Sequence, residues 1–363
     1  MYFKSEKYKN KLNYMMFSLC AEIIEDEVWI ASCTANKLMK INTSTGMVDI
    51  VCELPDSNRG NFLFSEIYYY KGKIYMIPLM ATAIWVYNIR KEEYFKVELR
   101  LTEKEKLHSE KFRKSLLVGE VLYLFGYDLD YIASYNIETE EFRYIWNKTI
   151  PLKITDVAIW EKNVFCTFRD DNKILSIDIE NGDTKAVVVE NNVKGGFGTI
   201  TVSDKYAYLS NYLDEEVIWN IVAQKKESVI QMNQLNKKEG GYRKCLLSEK
   251  GRIYFPMYES KIVRIVDGTA TRLYTNEKLM NDYLYGSYMY GYFILHESGF
   301  WFCDRTGKLF YFDSQQYSIL QNELILKDTD KKELLKQIKW DDIQYESREK
   351  SLIEFIACQI FED

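Results

Sequence analysis

Apolar and polar residues alternate in short runs along most of this chain, and one such run is present in seven copies. The copy at residues 73–88, KIYMIPLMATAIWVYN, contains two strand-like segments joined by a short loop. The alternation is rich in Tyr, Ile, Val, Phe and Trp, which predicts half-buried β-strands. A helical repeat would need apolar residues spaced by three and four, and that spacing is absent. Each copy opens on an apolar pair, whose first residues are Val28, Ile74, Leu122, Val164, Ala207, Ile253 and Phe300.

Each copy predicts four strands. In the second copy they cover residues 62–70, 73–77, 83–88 and 94–99. A period of about 45 residues with four strands is typical of a β-propeller blade. The sequence therefore predicts an all-β, seven-bladed β-propeller over residues 1–327. The third strand of each copy ends in Asn or Asp, which we interpret as caps of the following turn: Asn42, Asn88, Asn136, Asp178, Asn220, Asp267 and Asp313.

The period changes after the seventh copy, where residues 328–363 predict a short C-terminal helical tail. Asp330 and Glu333 have the spacing of a capping box at the start of a first helix. A second helix with a wide apolar face is predicted over residues 348–361. That face is expected either to pack on the ring or to dock a partner protein. No helix is expected before about residue 328. Residues 1–13 are expected to be either a loose lead-in or a strand that helps to close the ring.

The segments INTSTG, YNIETE and IDIENG, each a third-strand end with its turn, resemble those of bacterial β-propellers of the YVTN and quinoprotein-like type. The resemblance covers residues 14–326. It is specific for architecture and does not identify a family. The GH…WD signature of WD40 repeats is missing, and the glycine pairs lie between blades, unlike those of kelch repeats. Propellers have many unrelated functions, so the resemblance implies a ring and no particular activity.

Composition narrows the classes of function. The 48 Lys and Arg residues against 54 Asp and Glu give a net charge of −6, which lacks the basic character of a nucleic-acid-binding protein. No apolar run is long enough for a transmembrane helix, and the first residues do not form a secretory signal. The seven cysteines are scattered, without a CxxC pair, and are expected to be reduced. We therefore expect a cytoplasmic protein that binds neither nucleic acid nor membrane.

Motifs for catalysis or metal binding are absent from the sequence. The two histidines, His108 and His296, are expected on opposite faces of the ring, which excludes a two-histidine metal site or mechanism. No GxSxG, HExxH, Walker or GxGxxG motif occurs, and no loop has the carboxylate spacing of a calcium site. The sequence therefore predicts no catalytic residue, metal or cofactor.

Polar residues recur at one position of the predicted inner strands, eight residues before the apolar pair. Inner strands border the centre of a propeller, so these residues are expected to face one another there. They either neutralise each other around water or hold a polar ligand or ion at the channel mouth, and nearby arginines favour an anionic ligand. The candidate ligand-binding residues are Glu66, Lys114, Asp156, Thr199, Arg59, Arg113, Arg169, Asp170, Tyr212, Arg243, Tyr258 and Arg305.

Two functions fit these patterns. The first is a non-enzymatic binding or scaffolding propeller that recognises a protein or a polar small molecule on its loop face or channel mouth. The alternative is an enzyme, a lyase or hydrolase acting on a polar or anionic substrate at the central channel through carboxylates and Lys114. The absence of catalytic motifs favours the first.

Overall fold

The computed structural model describes residues 16–57, 60, 62–108, 110–147, 152–189, 195–212, 215–232, 242–248, 251–256, 263–272, 292–296, 299–303, 309–313, 318–322, 324–330 and 334. Strands make up most of this part of the chain. They form seven sheets, each built from four consecutive antiparallel strands. We number the sheets 1 to 7 in chain order.

Strand bounds follow the predicted repeat closely. Sheets 1 to 3 contain β1 (Ala21–Ile24), β2 (Glu27–Ala31), β3 (Lys37–Asn42), β4 (Met47–Glu53), β5 (Phe64–Tyr70), β6 (Lys73–Pro78), β7 (Ile84–Asn88), β8 (Glu93–Val97), β9 (Phe112–Val118), β10 (Val121–Gly126), β11 (Tyr131–Asn136) and β12 (Glu141–Asn147). Sheets 4 and 5 contain β13 (Ile154–Trp160), β14 (Asn163–Phe168), β15 (Lys173–Asp178), β16 (Thr184–Val188), β17 (Phe197–Ser203), β18 (Tyr206–Asn211), β19 (Glu215–Asn220) and β20 (Lys225–Gln231). Sheets 6 and 7 contain β21 (Tyr242–Ser248), β22 (Gly251–Pro256), β23 (Val263–Val266), β24 (Thr269–Arg272), β25 (Phe293–His296), β26 (Gly299–Cys303), β27 (Leu309–Asp313) and β28 (Ser318–Asn322).

Clusters of buried apolar side chains join each sheet to the next and close the series into a ring. Sheet 1 packs on sheet 2, and every following sheet packs on its successor in the same way. The last cluster joins sheet 7 back to sheet 1, where Trp301 and Cys303 pack with Val28 and Ile30. The first strand of each sheet lies innermost. The first strands of sheets 1 to 6 contact one another in order, as do those of sheets 7 and 1. The predicted all-β, propeller-like fold is confirmed.

One register position contributes to every contact between sheets. It is the second residue of the second strand, and its side chain packs on the preceding sheet. In chain order it is Val28, Ile74, Leu122, Val164, Ala207, Arg252 and Phe300. Five of these side chains are bulky and apolar, as half-buried strands require. Ala207 and Arg252 are exceptions. In the sixth copy, the apolar residue that the sequence pattern selects is Ile253, which is the residue after this register position.

A short fifth strand, β29 (Ile325–Leu326), follows sheet 7 and pairs in parallel with β4, the outer strand of sheet 1. Leu326 and Leu334 are buried in the cluster between sheets 7 and 1. Residues 328–330 and 334 are helical, so the helix begins before Asp330, where the capping box places its start. The second predicted helix, over residues 348–361, and the lead-in at residues 1–13 lie outside the described residues.

The sequence prediction that no helix precedes residue 328 is wrong. Residues Glu103–Lys106 form a one-turn helix, α1, in the connection between sheets 2 and 3. Thr102 caps it, and the Glu105 side chain returns the bond to the Thr102 backbone. This capping box satisfies the N–H groups that a helix start leaves open. No helix within the described residues is long and apolar enough to cross a membrane.

The third-strand caps are confirmed where the structure describes their bonds. The Asn42 side chain accepts from the backbone N–H of Ser44 and Thr45, and Asn136 and Asp178 make the same pair of bonds with their turns. These bonds satisfy backbone donors in the turn that leads to the outer strand. These three residues therefore stabilise the turns that follow their strands.

Candidate functional site

A β-bulge lies near the start of the inner strand in sheets 2 to 6. The pairing register shifts between the residues before and after one extra inner-strand residue. The residue after the bulge is Glu66, Lys114, Asp156, Thr199 or Lys244 in these five sheets. Bulges bend a strand and redirect side chains. Five inner strands therefore present one register position in the same way near the centre of the ring.

Four of these residues form a connected ion network, which we call the Asp156 network. The Lys114 ammonium group lies 3.4 Å from Glu66 Oε1 and 3.6 Å from Asp156 Oδ1. The Lys244 ammonium group lies 3.9 Å from the same Asp156 oxygen. Lys244 and Asp156 belong to sheets 6 and 4, so the network reaches across sheet 5. The structure thus brings together Glu66, Lys114 and Asp156, the three charged residues that the sequence places around the centre.

Asp156 is the buried centre of this network. Its side chain is 1% exposed, whereas those of Lys114 and Lys244 are 22% and 28% exposed. Asp156 Oδ2 accepts a hydrogen bond from the backbone N–H of Ile200 at 3.1 Å. Asp156 therefore holds two ammonium groups whose outer surfaces still meet solvent.

Thr199 and the sixth copy differ from the arrangement expected from the sequence. Thr199 is buried, and its hydroxyl is hydrogen-bonded to Ser210 Oγ at 2.8 Å in its own sheet. In sheet 6, counting back from the apolar pair selects Cys245, but Lys244 occupies the position after the bulge. Counting back from the β21–β22 turn instead would have identified Lys244.

Three cationic side chains surround Tyr127, which lies in the loop between β10 and β11. The Arg113 guanidinium carbon and the Lys153 ammonium nitrogen each lie 4.5 Å from the centre of the Tyr127 ring. Arg169 Nη1 donates to the Tyr127 hydroxyl at 3.0 Å, and this bond raises the pKa of Arg169. Cations are attracted to the face of an aromatic ring. We call these four residues the Tyr127 cluster.

Backbone hydrogen bonds between loops of sheets 3, 4 and 5 position the Tyr127 cluster. The Lys153 N–H donates to the Tyr127 carbonyl at 2.9 Å, and the Arg169 N–H donates to the Lys153 carbonyl at 3.0 Å. The Gly196 N–H then donates to the Arg169 carbonyl at 2.7 Å. A Cβ on Gly196 would lie 1.8 Å from the Phe168 carbonyl oxygen, so the approach requires glycine. The cluster therefore depends on residues far apart in sequence.

The remaining candidates are placed less centrally or lie outside the described part of the chain. Asp170 is exposed beside Arg169, and the Tyr212 ring packs beside Gly195 and interacts electrostatically with Arg169. The Arg243 backbone belongs to β21. Nothing is described of the Arg243 side chain or of Arg59, Tyr258 and Arg305. Among the described residues, no group of three His, Cys, Asp or Glu side chains is arranged to hold a metal ion.

A buried ion pair between sheets 5 and 6 was not predicted. Glu216, on β19, is 0% exposed, and Arg252 binds it through Nε at 2.5 Å and Nη2 at 2.7 Å. The Tyr254 hydroxyl also donates to Glu216, and the Arg252 guanidinium lies 4.2 Å from the centre of the Tyr208 ring. Burial raises the pKa of Tyr254 well above its usual value, so the phenol remains a donor. This pair fills a position that is apolar in five other sheets.

Replacing Lys114 with Met is expected to lower the free energy of unfolding by about 1–2 kcal/mol. The value lies between the cost of breaking a buried ion pair and that of an exposed one, because Asp156 is buried and Lys114 is partly exposed. Glu66→Gln and Asp156→Asn added to Lys114→Met should recover part of the loss. Reversible denaturant unfolding measures the change, and Lys91→Met, which removes an exposed partner of Glu93, is the matched control. A neutral Lys114→Met, or a triple variant less stable than the single one, would contradict a coupled network.

Comparison with known proteins supports the fold alone. No family model and no curated protein matches the sequence. The extracellular domain of a putative hybrid two-component system, BT4673, from B. thetaiotaomicron is similar at 10% identity with a TM-score of 0.57, over 80% of this chain and 37% of that one. PorZ of Porphyromonas gingivalis, a surface component of the type-IX secretion system, is similar at 10% identity with a TM-score of 0.55, over 85% and 38%.

A chain of the mitotic checkpoint complex is similar at 10% identity with a TM-score of 0.52, over 71% of this chain and 76% of that chain. The present chain thus spans well under half the length of the PorZ and BT4673 chains. These neighbours include propeller-like domains, and the class that fold and comparison define together is an all-β, propeller-like protein.

Proposed function

We propose that this protein is a non-enzymatic binding propeller that takes an anionic group of its ligand at the channel mouth, the surface formed by the Tyr127 cluster. The observation that carries this proposal is the convergence of Arg113, Lys153 and Arg169 on one tyrosine. Lys153 and Arg113 already have carboxylate partners, so a bound anion would neutralise the charge of Arg169. Arginine also binds carboxylate and phosphate oxygens through two N–H groups at once.

The charges around Tyr127 identify Arg169 as the principal contact. Lys153 pairs with Asp128, and Arg113 Nε lies 3.5 Å from Glu110 Oε2. Arg169 is exposed, and among the described residues no carboxylate lies within ion-pair distance of it. Its single hydrogen bond to Tyr127 uses one of five guanidinium N–H donors. Arg169 therefore has donors left for a ligand.

The Asp156 network is next to the Tyr127 cluster along the chain, and its two carboxylates and two ammonium groups balance in charge. Arg113 and Lys114 are consecutive in β9, so the two groups of residues lie close along the chain. The buried Asp156 holds the accessible ammonium groups of Lys114 and Lys244. A ligand of either source, a small metabolite or an acidic protein segment, would present the same carboxylate or phosphate chemistry to these groups.

An enzyme acting at the channel is a second candidate, and the position of Lys114 between two carboxylates supports it. A lyase or hydrolase could use these charged groups for proton transfer. Incubating the protein with an anion that binds to it, followed by mass spectrometry of that anion, distinguishes the two candidates. A chemically altered ligand would favour the enzyme, and an unaltered one would favour the binding protein.

The test of the proposed function is calorimetric titration with citrate, inorganic phosphate and a polyglutamate peptide as probes. We expect at least one probe to bind, and Arg169→Gln to weaken its binding by about tenfold or more, the effect of losing a charge-assisted hydrogen bond. Arg143→Gln is the matched control, because Arg143 is exposed and bonded to Glu141 on a different surface. Failure of all three probes to bind, or equal effects of the two variants, would contradict the proposal.

A further inference from the structure

A cleft of about 330 Å³ lies between sheets 4 and 5, separate from the Asp156 network and the Tyr127 cluster. Sheet 4 contributes Trp160 and Phe165 to its wall, and sheet 5 contributes Ala207 and Trp219. Ala207 is the second residue of β18, next to the β17–β18 turn. Tyr127 lies after its second strand, β10, at the other end of the sheets. The cleft therefore opens away from the channel mouth.

At this cleft a small residue occupies the position that packs on the preceding sheet. Ile74, Leu122 and Val164 fill this position in sheets 2, 3 and 4, whereas sheet 5 has Ala207. Trp219 is the direct cross-strand partner of Ala207. Protein interiors contain few voids larger than a water molecule. A space of this size, lined by two tryptophans, has the volume of a small-molecule pocket.

Neutral hydrogen-bonding groups surround the aromatic part of the cleft. Ser176 Oγ donates to Asn163 Oδ1 at 3.2 Å, and Lys185 Nζ donates to Gln224 Oε1 at 2.8 Å. Each amide oxygen is thus occupied, while the amide N–H groups of Asn163 and Gln224 make no hydrogen bond to described residues. Both side chains line the cleft. They provide donors at its edge for the oxygen atoms of a ligand.

One of the two carboxylates that line the cleft, Asp178, is already paired. The Asp178 carboxylate receives Lys162 at 3.2 Å and the backbone N–H groups of Glu180 and Asn181. These bonds lower the pKa of Asp178, so it remains a satisfied anion. Lys185 is bonded to Gln224. Lys185 and the exposed Asp183 also line the cleft and carry opposite charges, so the lining favours neither a cation nor an anion. A wholly apolar ligand would leave the amide donors without partners.

We propose that this cleft binds a carbohydrate, with a sugar ring packed on Trp160, the more exposed of its two tryptophans. The C–H face of a sugar ring is apolar and packs on an indole, while its hydroxyl groups accept hydrogen bonds from amides. Asn163 and Gln224 supply those donors. The proposal is independent of anion binding at the channel mouth, because no residue is shared between the two surfaces.

The test is a glycan array probed with the labelled full chain, followed by tryptophan-fluorescence titration with the free glycan that gives the strongest signal. We expect saturable binding with dissociation constants in the micromolar to millimolar range. Trp160→Ala should weaken binding about tenfold or more, and Ala207→Leu should abolish it by filling the cleft while the melting temperature stays equal or rises. Tyr144→Ala, which removes an exposed aromatic side chain from an outer strand of sheet 3, should leave binding unchanged.

Two variants at the edge of the cleft keep the test decisive if Trp160→Ala or Ala207→Leu fails to fold. Asn163→Ala and Gln224→Ala each remove one donor and should each weaken glycan binding severalfold. The proposal is overturned if the protein binds no glycan of the array and if glucose, galactose, mannose and N-acetylglucosamine leave its tryptophan fluorescence unchanged. It is also overturned if bound glycan is insensitive to Ala207→Leu and to both edge variants, because binding would then occur elsewhere. If the parent chain binds no glycan and Ala207→Leu makes the protein more stable, the cleft is a packing void.

Discussion

Replacing Arg252 with Met is expected to lower the free energy of unfolding by about 3–5 kcal/mol, the cost of removing one partner of a buried ion pair. Glu216 has no exposed surface, and Arg252 supplies two of its hydrogen bonds. Without the guanidinium, the buried carboxylate keeps the hydrogen bond from the neutral Tyr254 hydroxyl but loses the cation that pairs with it. Equilibrium urea unfolding measures the effect, provided that unfolding is reversible.

A second variant tests whether the loss comes from the unpaired carboxylate. Glu216→Leu added to Arg252→Met should recover most of the stability, because apolar replacement of a whole buried pair is often neutral or favourable. Arg143→Met is the control, since Arg143 forms an exposed pair with Glu141 and such pairs contribute about 0–1 kcal/mol. If Arg252→Met costs no more than Arg143→Met, the pair between sheets 5 and 6 does not stabilise the fold.

Gly196→Ala is expected to have the second largest effect, a loss of about 3 kcal/mol from overpacking. The added methyl group would lie 1.8 Å from the Phe168 carbonyl oxygen and 2.7 Å from that of Asp171. Both contacts are with backbone atoms, so the loop after β14 must move. That movement would break the bond from the Gly196 N–H to the Arg169 carbonyl and displace Arg169 from Tyr127. Denaturant unfolding and anion titration of the same sample measure the two consequences.

Gly119→Asn provides the matched control for that substitution. Nothing lies within 4 Å of a Cβ built on Gly119, whose φ of +59° is one that asparagine tolerates. We expect it to be close to neutral in stability and in anion binding. A Gly196→Ala protein as stable as Gly119→Asn would show that the loops of sheets 4 and 5 approach each other less closely than described.

The strands and the ring could be predicted because the information is local and repeated. An alternating run specifies a strand and its buried face, and seven copies indicate how many such units stack. The Asn and Asp residues after the third strands mark their turns for the same local reason. Glu66, Lys114 and Asp156 could be aligned because the bulge lies at the same distance from the turn in sheets 2, 3 and 4.

The missed residues depend on information that alternation does not carry. In the sixth copy the apolar pair begins one residue later, so apolarity selects Ile253 and hides Arg252 and Lys244. The partner of Arg252, Glu216, lies on another sheet. The local sequence around either residue does not show that its charge is buried. The Tyr127 cluster assembles through loops of three sheets, which no periodic pattern describes. Helix α1, in contrast, has a local signal, the capping box of Thr102 and Glu105 within the charged connection between sheets 2 and 3.

The parallel strand β29 gives the ring a particular order of assembly. Strands within each sheet are neighbours in sequence, so each sheet can form from short-range contacts, which favour fast folding. The pairing of Ile325 and Leu326 with Met47 and Val48 joins segments separated by most of the chain. During synthesis, sheet 1 therefore emerges long before its last neighbour and keeps an unpaired outer edge until β29 arrives. We expect this final closure to be the slow, entropically costly step, and the stage at which two partly folded chains would exchange partners.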